Sequence, residues 1–410
     1  MVPLPRLQQP ALRKSCTRNF VETGNEGIAH WRPTALLALS AYGSLLRKNK
    51  TRLKLNWRKQ FFRIHRITGL IAGAILLLLS ISGSILVFSD EIDHALEANA
   101  YHVTPGTQKQ PLAQLLLHAK QSLPGKTPYL FFVRLPQAPD ESAIIRAEYA
   151  ADYKVYLFMN PYTGQVVHQH ANKGYFTGFV LYLHFTLLSG KTGVKIMLIT
   201  GILLFLSVLT GIWVYRGAIG KVLTFRVKLE WGNRTRRWRN LHRIIGVWAL
   251  LFNALIAFTG IMLQLKVLDA RKTTPKEYVE VPVKVDYDQL LAKAEAQIPG
   301  FRVMGIRPPK KAGDPIRFLG HAHEAAIWGT YSSSVNFDAG TGLVKKTVNF
   351  SQAAFGDKFA ACIAPLHFGN YGGIALKILY SLLALTPGIL SVSGFLIWYR
   401  RKFIIKTHQF

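Results

Sequence analysis

The sequence has few cysteines and lacks the common nucleotide-binding motifs. Its two cysteines, Cys16 and Cys362, lie far apart, which excludes a disulfide framework and a CxxC metal or redox site. No C-x-x-C-H motif is present, so covalent attachment of c-type haem is also excluded. Walker A and GxGxxG motifs are absent, and no Ser/His/Asp set has a recognisable local context. Nucleotide, flavin and serine-hydrolase sites are therefore not indicated.

Acidic residues are also scarce, with 21 Asp and Glu against 51 Lys and Arg, which gives a net charge of +30. In a soluble protein, such an excess would favour a nucleic-acid partner. However, half of the residues are hydrophobic and the mean hydropathy is positive. A fully soluble protein is therefore not expected.

Four apolar runs are long enough to cross a bilayer, which takes about 20 residues. They cover residues 67–88, 194–215, 244–265 and 374–398. Lys195 and Lys377 lie near the starts of two runs, where a long side chain can reach the membrane surface. The sequence therefore predicts four transmembrane helices in a lipid bilayer.

The distribution of basic residues predicts the orientation of these helices. Residues 1–66, 216–243 and 399–410 together contain +24 of the net charge, whereas the two long connecting segments are much closer to neutral. Because Lys and Arg accumulate on the cytoplasmic side, we expect both termini and the short middle loop in the cytoplasm. Two domains of about a hundred residues would then lie outside. This explanation of the charge makes nucleic-acid binding a remote alternative.

The second half of the sequence repeats the first. RIHRITG at residues 63–69 reappears as NLHRIIG at 240–246, and the same offset aligns Gly83 with Gly260. Outside the membrane, two short amphipathic helix patterns end at Gly125 and Gly300, and strand patterns with a Thr-Gly turn follow each of them. We therefore expect two copies of a unit made of a span, an outside α+β domain and a second span.

Four of the 13 histidines occupy equivalent places in this repeat: His65 and His242 at the cytoplasmic span ends, and His184 and His367 at the outer ends. Neutral imidazoles on two helices can ligate haem iron from both sides. Arg66 and Arg243 directly follow the first two histidines and are candidate partners for haem propionates. The alternative is that these residues only anchor helices at the membrane surface, and the recurrence in both halves favours ligation.

Two other histidine pairs are candidate metal ligands. His168 with His170, and His321 with His323, are each two positions apart in an extended run, so both side chains face the same way. Neither pair has a nearby cysteine or carboxylate cluster in the sequence. A solvated strand face is therefore the favoured interpretation for both.

Several segments resemble the PepSY-associated transmembrane family of bacterial inner-membrane proteins. They are RIHRITGLIAG and NLHRIIG before the first and third spans, LHFTLLSGKTG and TGIWVYR around the second, and the strand-turn-strand NPYTGQVV. The resemblance extends from about residue 57 to 402. It implies that the chain is an iron-regulated membrane protein similar to ferrisiderophore reductases. It also implies that His65, His184, His242 and His367 ligate b-type haem, and that the outside domains are PepSY-like.

The predicted fold is thus an α-helical membrane protein with four transmembrane helices in two repeats, each with an inserted periplasmic α+β PepSY-like domain. The expected boundaries are a leader, disordered or from a mis-assigned start, at 1–56; the first span at 57–88; periplasmic domain 1 at 89–174; an outer segment and the second span at 175–216; a basic loop at 217–243; the third span at 244–265; periplasmic domain 2 at 266–360; an outer segment and the fourth span at 361–399; and a cytoplasmic tail at 400–410.

The leading functional hypothesis is an inner-membrane electron-transfer protein with two bis-histidine b haems. It would reduce ferric iron held by a siderophore or another chelate in the periplasm. The resemblance leads us to expect a separate electron donor, either quinol or a cytoplasmic reductase. The alternative is a non-enzymatic protein that displays PepSY-like domains to bind peptides or inhibit a protease. Transport of iron or its chelate through the bundle is ranked last, because four spans give little room for alternating access.

Overall fold

The structure is a computed structural model that describes residues 56–125, 128–149, 153–273 and 278–404. The leader expected over residues 1–56 lies outside the described residues except for Asn56, and so do residues 405–410 of the expected tail.

Most of the described chain is helical. The α-helices are α1 (Trp57–Leu86), α2 (Ser89–Leu96), α3 (Ala98–Tyr101), α4 (Leu112–Gln121), α5 (Phe176–Thr186), α6 (Gly190–Leu223), α7 (Arg234–Trp248), α8 (Leu250–Thr273), α9 (Tyr287–Gln297), α10 (Phe355–Phe368), α11 (Gly373–Ala384) and α12 (Thr386–Tyr399). A π-helical turn, Arg400–Ile404, follows α12.

Within the described residues, four helical segments are long and apolar enough to cross a membrane: Trp57–Leu86, Gly190–Leu223, Leu250–Arg271 and Gly373–Phe403. Each overlaps one of the spans predicted from the sequence. The third predicted span began at residue 244, but that residue belongs to α7, and the spanning helix α8 begins after a break at Ala249. The fourth span consists of α11 and α12, which Leu385 separates. Pro387 lies in the first turn of α12, where its missing N–H costs no helical hydrogen bond.

Hydroxyl groups join the apolar helices to one another. Helix α1 packs against α6 and α12, and α6 packs against α8. Thr68 of α1 is hydrogen-bonded to Ser207 of α6 over 2.6 Å between the two hydroxyl oxygens. Ser80 of α1 accepts a 2.7 Å bond from the backbone N–H of Gly388 in α12. Such short polar contacts between helices are the usual connections in membrane bundles.

The strands form one antiparallel sheet in the order β4-β3-β2-β1-β5-β6-β7-β8. Their bounds are β1 (Tyr129–Arg134), β2 (Ala143–Glu148), β3 (Lys154–Met159), β4 (Val166–Ala171), β5 (Arg302–Arg307), β6 (Ile316–His321), β7 (Ser333–Phe337) and β8 (Val344–Val348). Each of the two segments outside the helical spans contributes four strands. The segments meet at β1 and β5, where Phe132 lies opposite Ile306. Their strands therefore form a single continuous sheet.

The sheet is covered on both faces. Helices α4 and α9 pack on one face, over a core that includes Phe132, Ile306, Phe318 and Phe337. A smaller cluster of Ala100, Ile144 and Phe158 lies apart from this core. It contains Ala100 from α3, so the short helices after the first span cover part of the sheet.

Side-chain contacts fix α2 to the neighbouring helices. Thr177, at the start of α5, donates a 2.6 Å hydrogen bond to the carboxylate of Asp93 in α2. Lys377 of α11 forms an ion pair with Glu91, with 2.7 Å between Nζ and Oε1. These contacts hold α2 against α5 and α11.

Candidate functional site

The structure brings the four repeat-related histidines together in two pairs. The ring centroids of His65 (α1) and His242 (α7) are 6.1 Å apart. Those of His184 (α5) and His367 (α10) are 6.5 Å apart. We call the first two the cavity pair, for the cavity described below. We call the second two the sheet-side pair, because α5 and α10 follow the sheet segments in the chain.

Both separations suit two imidazoles that ligate one metal ion from opposite sides. A histidine nitrogen binds a metal ion at about 2 Å, and the ring centroid lies roughly 1 Å behind that nitrogen, so two opposed ligands place their centroids about 6 Å apart. Edge-to-face packing of two rings gives similar centroid distances, about 4.5 to 7 Å. The spacing of each pair therefore fits either a shared metal ion or direct ring packing.

A hydroxyl-bearing residue on a neighbouring helix contacts the Nδ1 atom of each histidine. The contacts are Ser82 to His184 (2.8 Å), Thr210 to His65 (3.3 Å), Thr259 to His367 (2.9 Å) and Ser393 to His242 (2.9 Å). His65 Nδ1 also lies 2.9 Å from the backbone carbonyl of Ser207.

These contacts assign the proton of each ring to Nδ1. Each of the four hydroxyls donates to a carbonyl of its own helix, as Ser82 does to Leu78 and Thr259 does to Leu255. The hydroxyl hydrogen is therefore engaged in that bond, and the hydroxyl oxygen accepts a hydrogen bond from the imidazole N–H. With Nδ1 protonated in a neutral ring, the Nε2 lone pair is available to a metal ion.

A glycine follows each hydroxyl residue and makes room for the imidazole. A Cβ atom at these glycines would approach the ring carbon Cε1 to between 3.2 and 3.5 Å. The contacts are Gly83 to His184, Gly211 to His65, Gly260 to His367 and Gly394 to His242. A Ser/Thr-Gly dipeptide thus supports every histidine of the two pairs. These dipeptides are visible in the sequence, but their role depends on helix contacts that the sequence does not show.

A cavity of about 720 Å³ adjoins the cavity pair, within the range of cofactor pockets. His65, His242 and the backbone at Gly69 and Gly246 line it. Six cationic residues and no acidic ones lie among its lining residues: Lys59, Arg63, Arg66, Arg243, Arg401 and Lys402.

Arg66 and Arg243, the two arginines singled out from the sequence, both line this cavity. The Nε atom of Arg243 is buried and has no hydrogen-bond partner among the described residues. A buried guanidinium nitrogen without a partner is costly unless an anion pairs with it. The cavity is therefore suited to a ligand that carries anionic groups.

The two pairs lie far apart along the bundle. Ser82, the partner of His184, follows His65 by 17 residues in α1. At about 1.5 Å per residue, this places the two sites about 25 Å apart along the helix axis. That separation approaches the thickness of the bilayer's hydrocarbon core, about 30 Å.

The two other histidine pairs differ in the possible metal ligands that surround them. His168 and His170 lie in β4, and Glu97, which was not among the predicted ligands, is close to both. His321 ends β6, and the described residues place no comparable set of metal ligands around it or His323. A carboxylate near His168 and His170 was not expected, because Glu97 is about 70 residues earlier in the chain.

Comparison with known proteins gives the family. The uncharacterized protein PA4219 of Pseudomonas aeruginosa is 25% identical over 265 residues, which are 54% of this chain and 63% of that protein. The match thus covers less than two thirds of that relative's length. The family model described as the PepSY-associated TM region matches residues 62–401. Since this match covers well over half of the chain and includes both histidine pairs, the chain belongs to the PepSY-associated transmembrane family.

Proposed function

We propose that the protein holds two b haems by paired histidines and transfers electrons across the inner membrane to ferric iron in a periplasmic siderophore complex. The main support is the pair geometry: two sets of imidazoles, each with centroids about 6 Å apart and with Nδ1 fixed by a hydroxyl or a carbonyl.

The residues around the cavity pair fit haem. His65 and His242 supply two neutral nitrogen ligands, and Gly69 and Gly246 leave a flat strip beside them. Arg66 and Arg243, with Arg243 Nε unpartnered in the described structure, suit the two propionates. When bound, haem supplies a one-electron iron couple, whose potential depends on its axial ligands and their hydrogen bonds.

At the sheet-side pair, the support is the ligand set. Ser82 and Thr259 orient His184 and His367, and Gly83 and Gly260 leave space beside the two rings. Both histidines lie on helices that follow the sheet segments. This position would bring an electron to the end of the bundle where the sheet domain could hold an iron chelate.

We also propose that the two halves are copies of one unit and that the sheet domain is periplasmic. The 17-residue interval between His65 and Ser82 recurs between His242 and Thr259, and each half supplies four strands. The basic residues at the opposite end of the bundle favour a cytoplasmic position for the cavity pair. The electron donor would then act on that side, as quinol or as a cytoplasmic reductase.

Reduction of chelated ferric iron would explain why electrons are transferred along this path. Siderophores bind Fe³⁺ through hard, anionic oxygen donors, and Fe²⁺ is held less tightly by them. One electron added to the chelated ion therefore permits its release. The alternative, a scaffold that displays peptide-binding domains, gives no reason for two matched histidine pairs inside the helical bundle.

The test is an anaerobic reoxidation experiment. Purified protein, reduced with one equivalent of dithionite electrons per haem, is mixed with a ferric hydroxamate siderophore and a coloured Fe²⁺ chelator. We expect loss of the reduced absorption bands and appearance of the Fe²⁺ chelate in equal electron amounts. His367→Ala should slow both, whereas His102→Ala, at an exposed position outside both pairs, should not. Reoxidation at the wild-type rate in His367→Ala would exclude the sheet-side pair from the path.

A further inference from the structure

Three side chains of types that can ligate metal ions lie close together, outside both histidine pairs. Glu97 lies between α2 and α3, and His168 and His170 lie two positions apart in β4. Glu97 Oε2 is 3.3 Å from His170 Nε2 and 3.8 Å from His168 Nε2. One ligand atom from each of the three residues lies within 4.8 Å of the others.

Hydrogen bonds within the protein do not account for this arrangement. Glu97 Oε2 and His168 Nε2 are buried atoms without a hydrogen-bond partner among the described residues. The side chain of His170 is only 9% exposed, and its ring contacts Tyr175 with 4.0 Å between centroids. Buried polar atoms without partners are costly, so a missing ligand is a physical explanation for the cluster.

We propose that Glu97, His168 and His170 bind one divalent first-row transition-metal ion. Two imidazoles and one carboxylate are a ligand set found for Zn²⁺ and Fe²⁺ in proteins, with the remaining positions open to water or substrate. Donor atoms about 2.1 Å from one ion are roughly 3 to 3.5 Å apart at tetrahedral or octahedral angles. The 3.3 and 3.8 Å from Glu97 Oε2 to the two histidine nitrogens are close to this range.

The cluster lies near the protein surface, since the side chain of His168 is 41% exposed, and it is close in the chain to the bundle. From His170, the chain passes Tyr175 and enters α5, the helix that contains His184. His184 lies eight residues after the first residue of α5, a rise of about 12 Å. The site is nevertheless separate from the haem proposal, because none of its ligands belongs to either histidine pair.

The test is zinc binding by the full-length protein in detergent. The protein is stripped with a chelator and equilibrated with Zn²⁺, and bound zinc is counted by elemental mass spectrometry. We expect one tightly bound zinc per chain, and Glu97→Gln and His168→Asn should each weaken its binding at least about 10-fold. A parallel titration with Fe²⁺ under argon should show the same loss in both variants.

Two controls make the result specific. The double variant His321→Asn/His323→Asn removes the other candidate pair and should retain the zinc. Haem content and thermal unfolding midpoint measured on the metal-free variants show that Glu97→Gln and His168→Asn remain folded. No zinc bound by the wild-type protein, or equal affinity in wild type and Glu97→Gln, would overturn the proposal.

Discussion

At the scale of single residues, the orientation of each imidazole depends on a hydroxyl from another helix. Thr259 is almost completely buried, and its oxygen lies 2.9 Å from His367 Nδ1. Partners of this kind fix the ring and raise the basicity of the ligating nitrogen, and their loss typically lowers metal affinity 10- to 100-fold.

Replacement of Thr259 by valine tests this role. Thr259→Val keeps the shape of the side chain but removes the hydroxyl, so we expect roughly 10-fold faster loss of haem from the sheet-side pair to an apo-globin acceptor. Thr259→Ser restores the hydroxyl and should behave as wild type. Equal haem loss from the valine and serine variants would argue against a positioning role.

The glycine beside each hydroxyl residue gives a second prediction. A Cβ at Gly211 would lie 3.3 Å from His65 Cε1, and the branched side chain of valine would come closer still. Gly211→Val should therefore displace His65 and remove about one haem per chain in a pyridine haemochrome assay. Gly217→Val, on the same helix with nothing within 4 Å of the added Cβ, is the matched control and should retain both haems.

The four histidines could be predicted as candidate ligands from the sequence, but the hydroxyl residues that contact their rings could not. The four histidines were predicted because they recur at equivalent places in the repeat. Their partners were not, because Ser82 and His184 are 102 positions apart in the chain and Thr259 and His367 are 108 apart. Such contacts depend on which helices are neighbours, which hydropathy patterns do not show. The same reason explains why Glu97 was missed.

At the scale of elements, the junction between α2 and α5 contains a titrating group. Asp93 is half-buried and accepts a hydrogen bond from Thr177. Burial raises the pKa of the Asp93 carboxyl to about 6, partly opposed by the hydrogen bond from Thr177. Since the folded protein then binds this proton more tightly than the unfolded chain, the stability from this group is greatest at low pH and declines as pH rises toward 6.

The isosteric variant Asp93→Asn should lack this pH dependence. We expect the free energy of unfolding of wild type relative to Asp93→Asn to fall by about 1 kcal/mol between pH 4 and pH 7, a value reduced for solvent screening. Thermal unfolding of both proteins in the same detergent, over that pH range, measures the difference. A difference that rises with pH would show that the carboxylate, and not the carboxylic acid, is the favoured form.

The sequence predicted the elements well where local pattern determines them. The two amphipathic helix patterns are confirmed as α4 and α9, and the Thr-Gly turns are confirmed between β3 and β4 and between β7 and β8. Gly164 and Gly342 in these turns have φ angles of 74° and 69°, a conformation that favours glycine. The helix breaks at Ala249 and Leu385 were not predicted, because the hydropathy of each run is continuous across them.

At the scale of the whole molecule, the two segments outside the spans form one structural unit. Two separate domains were expected from the sequence, because a repeated sequence pattern does not indicate how its copies would pair. In the structure, β1 and β5 are adjacent, and the sheet core contains residues of both segments. The sheet should therefore unfold as a single cooperative unit.

Phe132, which is 1% exposed at the β1–β5 boundary, tests that cooperativity. Phe132→Ala should destabilise the sheet by about 3 to 5 kcal/mol, and hydrogen exchange should quicken in β2–β4 and in β6–β8 alike. Leu343→Ala, at a largely exposed turn position, should leave exchange unchanged. Faster exchange confined to the first four strands would show two independent domains.

Haem binding by the two histidine pairs is tested by the haem content of the purified protein. We predict close to two b haems per chain by pyridine haemochrome, with sharp absorption bands in the reduced form. His65→Ala and His367→Ala should each lose about one equivalent while the protein still inserts into the membrane. A colourless protein from haem-sufficient cells, or unchanged haem content in both variants, would contradict the account.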